Sequence, residues 1–165
     1  AEELVQAMQF LPDCFLMIIG GGDVLPVLKQ MVQDLKIDNR ILFLPRMPYA
    51  KMMAYTQLAE IGFTLDKDTN LNYRYSLPNK LFDFIQANVP IIASHLVEIE
   101  RIIKQYNIGA FIEDHNPEDI AHTIKTVLQN QQMMTEWKQN LISAAEDLCW
   151  EKEEKVLLNV IQSYE

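Results

Sequence analysis

The sequence predicts an α/β fold: a Rossmann-like, doubly wound parallel sheet with helices on both faces and two closing helices at the C-terminal end. Three observations carry that expectation. Short apolar runs alternate with amphipathic stretches at helical spacing along most of the chain. The runs are continuous rather than alternating, as in strands covered on both faces. From Gln131 onward no strand signal appears.

Taken in order, Ala1 to Phe10 reads as an amphipathic helix with Glu2 and Glu3 in its first turn, which is not the pattern of a signal peptide. Cys14 to Ile19 (CFLMII) is the first strand, closed by Gly20-Gly21-Gly22-Asp23. Val24 to Leu35 follows as a helix, with Val24, Leu28, Met31, Val32 and Leu35 at helical spacing. Ile41 to Leu44 is the second strand, ended by Pro45, and Tyr49 to Leu58 the next helix. Glu60 to Leu65 is the third strand. Asp66 to Ser76 (DKDTNLNYRYS) is the longest polar stretch and reads as a loop. A helix over about Pro78 to Ala87 follows, with Ser76 as its cap and Pro78 suited to its first turn. Ile91 to Ala93 is the fourth strand, Val97 to Gln105 a helix, and Gly109 to Ile112 a short fifth strand. Pro117 to Leu128 is a helix with Asn116 at its cap and Pro117 at its first position. Met133 to Leu148 and Glu151 to Tyr164 are the closing helices. A doubly wound half usually opens with a strand, whereas this chain opens in a helix. The expectation is one domain over residues 1–165 whose first strand belongs to a longer parent chain.

The bulk numbers narrow the function classes. A chain of 165 residues with 49% hydrophobic and 22% charged residues suits one globular domain. A net charge of −9 argues against nucleic acid, which needs a clustered basic face. It leaves room for an anionic ligand, because a helix N-terminus with one or two cations can bind phosphate within an acidic protein. Cys14 and Cys149, each in or beside an apolar run, read as buried free thiols in a reducing, cytoplasmic setting. His95, His115 and His122 share no spacing with acidic or thiol partners that suggests a metal, and none is expected.

In an open α/β sheet, ligands sit beyond the carboxyl ends of the strands. Three places there carry candidate chemistry. The Gly20 to Gly22 turn lets a ligand approach the backbone closely, although it also suits a plain tight turn and does not match G-x-G-x-x-G. Pro45-Arg46-Met47-Pro48 holds an extended segment whose carbonyls are free to face a base, and Arg46 reads equally well as a solvated charge. The third place is Ser76-Leu77-Pro78-Asn79-Lys80. The N–H groups at the start of that helix point outward, and a cation in a first turn opposes the helix dipole by roughly 0.3–1 kcal/mol unless an anion joins it. A diphosphate would be such an anion, and Asp83, one turn on, could accept from sugar hydroxyls. The alternative is Lys80 paired with a nearby carboxylate and Asp83 merely solvated.

The stretch SLPNKLFDFIQANVPIIAS, Ser76 to Ser94, resembles the S-x-P-x-K-x-x-E-x-x-x-x-x-x-P-x-I-A-S form of family 4, or group 1, glycosyltransferases. The order of the glycine-closed strand, the strand ending near Arg46, the polar loop and Trp150-Glu151 before the last helix is similar to that family's C-terminal half. The resemblance covers essentially the whole chain. It implies the GT-B fold, in which two Rossmann-like domains bind a nucleotide-diphosphate sugar mainly through the C-terminal one. It implies that the backbone from Ser76 to Lys80 (Ser76, Leu77, Pro78, Asn79) holds the diphosphate, that Lys80 acts in catalysis, and that Asp83 holds the ribose. Arg46 and Met47 match the segment lying against the base, and Gly20 and Gly22 border the donor.

The family's two glutamates are separated by seven residues. Asp83 matches the second, while Tyr75 stands where the first would contact the hexose. The resemblance further implies retention of configuration, no metal, and an N-terminal acceptor domain of the same parent chain as partner. A phosphate-binding Arg and Lys would lie upstream of Ala1, so this piece alone is expected to bind donor without turnover. Membrane contact is expected only of the parent enzyme, in surface polysaccharide or glycolipid assembly. Two other readings stay open: a nucleotide-sugar epimerase of GT-B fold, and a non-enzymatic flavodoxin-like or receiver-like interaction domain. A receiver needs an acidic cluster after its first strand, where this chain has three glycines and Asp23.

Overall fold

The structure is a computed structural model and describes residues 1–162. The chain begins with α1 (Glu2–Ala7), continued by a 3-10 turn at Met8–Phe10. There follow β1 (Leu16–Ile19), α2 (Leu25–Asp34), β2 (Ile41–Leu44), α3 (Tyr49–Thr56) and β3 (Gly62–Thr64). The second half runs α4 (Leu71–Tyr75), α5 (Asn79–Gln86), β4 (Ile91–Ala93), α6 (Val97–Tyr106) and β5 (Gly109–Phe111). Then α7 (Pro117–Gln129), α8 (Gln131–Asp147) and α9 (Trp150–Gln162) close the chain. The end of the last predicted helix, at Ser163 and Tyr164, lies outside the described residues.

Every expected strand is present, and every strand pair is parallel. The strands form two sheets, β1-β2 and β3-β4-β5, rather than one. Gly62 N–H donates to the Pro90 carbonyl at 2.8 Å and Ser94 N–H to the Thr64 carbonyl at 3.1 Å, so the main chain of Gly62 and Thr64 faces β4. By the alternation of a strand, Phe63 turns its own N–H and carbonyl to the opposite edge, which has no partner strand among the described residues. The same holds for the edge of β1 away from β2. Burial follows: Ile91, Ile92 and Ala93 of β4 are fully buried, whereas Met17, Ile18, Ile19 and Phe63 are only half-buried.

The two faces carry separate cores, as a doubly wound sheet requires. Ile92 packs with Leu4, Leu16, Leu28, Ile124 and Trp137 on one face. Its neighbours Ile91 and Ala93 pack with Leu81, Ile85, Ile99 and Leu141 on the other. Ile18, Phe63 and Leu65 lie against the first core, so β1 and β3 share a hydrophobic floor without sharing hydrogen bonds.

Local chemistry sets the elements that frame the strand ends. Asn116 caps α7 by accepting from Glu118 N–H at 2.9 Å, with Pro117 at the start, as expected from sequence. Asn107 ends α6 in the left-handed conformation at φ 49°. Gly62 lets α5 sit close on β3, since a Cβ there would fall 2.4 Å from Phe84 ring carbons.

Three expectations are corrected. The polar stretch from Asp66 to Ser76 is not all loop: Asn70 accepts from Tyr73 N–H at 3.0 Å and caps the short helix α4. Ser76 therefore does not cap α5. It ends α4, where its hydroxyl donates to the Tyr73 carbonyl at 3.2 Å, and Pro78 occupies the cap position of α5 with no side-chain hydrogen bond. The cysteines are free but half-buried rather than buried, because Cys14 lies just ahead of β1 and Cys149 in the link between α8 and α9. Burial is the leading cause of the raised Cys14 thiol, followed by Asp13 and Glu60.

Candidate functional site

The segments beyond the carboxyl ends of β1, β2 and β3 hold the predicted residues, and the start of α5 joins them. After β1, Gly20 takes φ +137°, a conformation that side chains rarely adopt, while its N–H donates to the Leu44 carbonyl at 3.0 Å. That bond ties the glycine turn to the end of β2. A Cβ at Gly20 or Gly22 would meet nothing within 4 Å, so the space above the turn is open. The turn also lies beside the second predicted segment, since a Cβ at Gly21 would stand 3.9 Å from Arg46 Nε. Arg46 is exposed and Met47 half-buried. Among the described residues Arg46 has no hydrogen-bond or ion-pair partner, as a solvated charge or a waiting ligand contact would.

At the start of α5, no described hydrogen bond takes up the N–H of Asn79 or Lys80, and the N–H of Leu81 turns back to the Pro78 carbonyl at 3.0 Å. These are the orphan donors of a helix N-terminus. Lys80 Nζ lies 2.8 Å from Asp66 Oδ2, and the buried Thr64 hydroxyl donates to that same oxygen at 3.4 Å. The Lys80 side chain remains 41% exposed, which leaves its charge reachable from solvent. Asp83 accepts from Tyr49 O–H at 3.1 Å. Burial, with the hydrogen bond to Asp83 and its charge adding, raises the Tyr49 phenol above its ordinary range and keeps it a neutral donor.

Tyr75 ends α4 and is exposed, and Leu77 packs against the core that holds Leu81. Ser76 turns its hydroxyl into α4, which removes that hydroxyl from the start of α5. The glycine turn thus lies beside Arg46, and Lys80 and Asp83 share one helix. Asp66 and Tyr49 are the residues that sequence reasoning missed. Asp66 carried a usable signal, being the first acidic residue after β3, at the end of a parallel strand where counter-ions collect. Tyr49 carried none, because its partner lies 34 residues away.

Two hollows lie outside this group. One of about 400 Å³ sits on the flank between α5 and α8, at Ile85, Gln86 and Leu141, away from the strand ends. A smaller one of about 140 Å³ lies beyond β4 and β5, where Ser94 Oγ and His115 Nε2 are 3.0 Å apart. Among the described residues no three His, Cys, Asp or Glu side chains converge as a metal site requires, and no helix is long and apolar enough to cross a membrane.

Parallel strands in two sheets, with helices packed on both faces, make a Rossmann-like α/β domain. The family model "Glycosyl transferases group 1" matches residues 1–144, and the chain belongs to that family. Its fold is similar to sucrose-phosphate synthase from Thermosynechococcus elongatus, at 17% identity and TM-score 0.77 over 99% of this chain and 42% of that one. It is similar to Anabaena HepE, solved with UDP-glucose, at 14% identity and TM-score 0.80 over 98% of this chain and 44% of that one. It is also similar to the C-terminal domain of a group 1 glycosyl transferase, LpcC from Francisella tularensis, at 15% identity and TM-score 0.68. That match covers 89% of this chain and 77% of the other. The chain therefore spans less than half the length of the first two proteins. No curated protein matches it significantly.

Proposed function

We propose that this chain is the donor-binding half of a retaining glycosyltransferase that moves a hexose from a nucleotide-diphosphate sugar to an acceptor hydroxyl. The observation that carries the reading is the start of α5. Two N–H groups without partners among the described residues and the half-exposed Lys80 stand together at the ligand end of parallel strands. Proteins of the same fold solved with UDP or UDP-glucose support a nucleotide sugar as the ligand. The Ser76 to Lys80 backbone and Lys80 take the diphosphate, Asp83 the ribose, Arg46 and Met47 the base, and Tyr75 stands on the hexose side.

In the transfer step the acceptor hydroxyl oxygen bonds to the anomeric carbon while the bond from that carbon to the diphosphate oxygen breaks; negative charge grows on the leaving oxygen, and the acceptor's proton passes to the departing diphosphate. Helix N–H groups and Lys80 stabilise that charge without having to reorganise, which is the largest contribution at many such sites. Contacts to base and ribose hold the anomeric carbon in place for attack. No metal is invoked. Asp66 is the resting counter-ion of Lys80, released when the diphosphate replaces it.

The parent enzyme supplies the acceptor domain and acts in the cytoplasm, in surface polysaccharide or glycolipid assembly. Its further phosphate-binding cations would follow the strand expected ahead of Ala1. The partnerless edges of β1 and β3, over one shared hydrophobic floor, support a place for that strand between them. The piece alone is expected to bind donor without turnover.

The test is an NMR titration with UDP, GDP and ADP, then with their sugars. Saturable shifts clustered at residues 20–23, 45–49 and 76–83 are expected, and the tightest nucleotide names the base. Absence of shifts here and also in the full parent chain would overturn the reading.

A further inference from the structure

Asp83 sits in the second turn of α5, and Tyr49 opens α3 directly after the Pro45 to Pro48 segment. The phenol of Tyr49 crosses between the two helices and donates to Asp83 Oδ1 at 3.1 Å. It is the one described side-chain hydrogen bond made by either residue. Tyr49 is 61% exposed, so burial of its ring does not by itself account for its placement. An aspartate side chain is shorter by one methylene than the glutamate of the resembled pattern. Its carboxylate stays closer to the helix and turns freely unless a neighbour holds it.

We propose that Tyr49 is a specificity-determining positioning residue: by holding Asp83 Oδ1 it aims Oδ2 at the ribose hydroxyls of the donor. The inference rests on the donor-site reading above and assigns a residue and a selectivity to it. The same bond joins the base segment to the ribose and diphosphate helix. Nucleotide contacts on either side of the bond are therefore held at one spacing. Because the phenol keeps its proton, it donates throughout the neutral range, and the carboxylate remains the acceptor for a sugar hydroxyl. A purely structural tie between α3 and α5 would affect all nucleotides alike. A positioning role affects only those that carry the hydroxyl.

The experiment compares binding of a ribonucleoside diphosphate with its 2′-deoxy and 3′-deoxy forms to the full parent chain, for wild type, Tyr49→Phe, Asp83→Asn and the double variant. Wild type is expected to prefer the ribonucleotide by roughly tenfold or more, as a hydrogen bond to a charged group contributes. Tyr49→Phe is expected to cut that preference about three- to tenfold while leaving deoxynucleotide affinity unchanged. In the Asp83→Asn background the same change is expected to have no further effect. Equal loss for ribo and deoxy forms, or an unchanged preference, overturns the role of Tyr49 while leaving the donor site standing. Failure of wild type to bind any nucleotide overturns both.

Discussion

Replacement of Lys80 by alanine separates a binding role from a structural one, and its magnitude follows from the geometry. In the folded protein Lys80 pairs with Asp66 at 2.8 Å, with side chains 41% and 32% exposed. An ion pair that open to water contributes about 0.2–1 kcal/mol, so Lys80→Ala should lower folding stability by no more than about that amount. At the proposed diphosphate site its expected effect is larger. A charge-assisted hydrogen bond is lost, at about 1.5–3 kcal/mol, which is a ten- to hundredfold loss of affinity on the scale of about 1.4 kcal/mol per decade. In the proposed complex Asp66 would then stand as a bare negative charge beside the phosphates, held there by the Thr64 hydroxyl. A second change, Asp66→Asn, should therefore recover part of the lost affinity in the Lys80→Ala background. Isothermal titration calorimetry with nucleoside diphosphates measures affinity, and urea denaturation measures stability. Unchanged affinity with an intact fold would remove Lys80 from the site and refute the reasoning.

Two further outcomes test the frame around the site. Gly62→Ala places a Cβ 2.4 Å from the Phe84 ring and should cost about 1–3 kcal/mol by urea denaturation, partly restored by Phe84→Leu; an unchanged midpoint would show that α5 can move off β3 freely. The Glu100 carboxyl is held below its ordinary range, first by Lys104 and then by His95. A carboxyl depressed by folding stabilises above its unfolded value, and that stability is lost as pH falls through the folded one. Wild type should exceed Glu100→Gln in urea midpoint near pH 7, and the difference should close as pH falls below the ordinary carboxyl range. A gap that widens in acid would contradict that sign.

The chain's own order of residues carried the strand and helix alternation, because apolar spacing is a local property that reports which face of an element meets a core. Asn116 and Pro117 marked the start of α7 for the same reason, since a cap acts within a few residues of itself. Lys80, Asp83 and the glycine turn were legible as candidates because each follows a strand or opens a helix. Ser76 was misplaced by equally local logic. It has the chemistry of an N-cap, but Asn70 nucleates α4 ahead of it and its hydroxyl closes that helix instead.

What the sequence by itself determined is the α/β class, the number and direction of the strands, and the motif that brings a cation to a helix N-terminus. Tertiary structure alone decided that the strands divide into two sheets, that Asp66 holds Lys80, and that Tyr49 reaches Asp83. The physical reason is range. Propensity, capping and periodicity act between near neighbours, whereas a partnerless strand edge or a bond from Tyr49 to Asp83 exists only once packing has set two distant segments side by side.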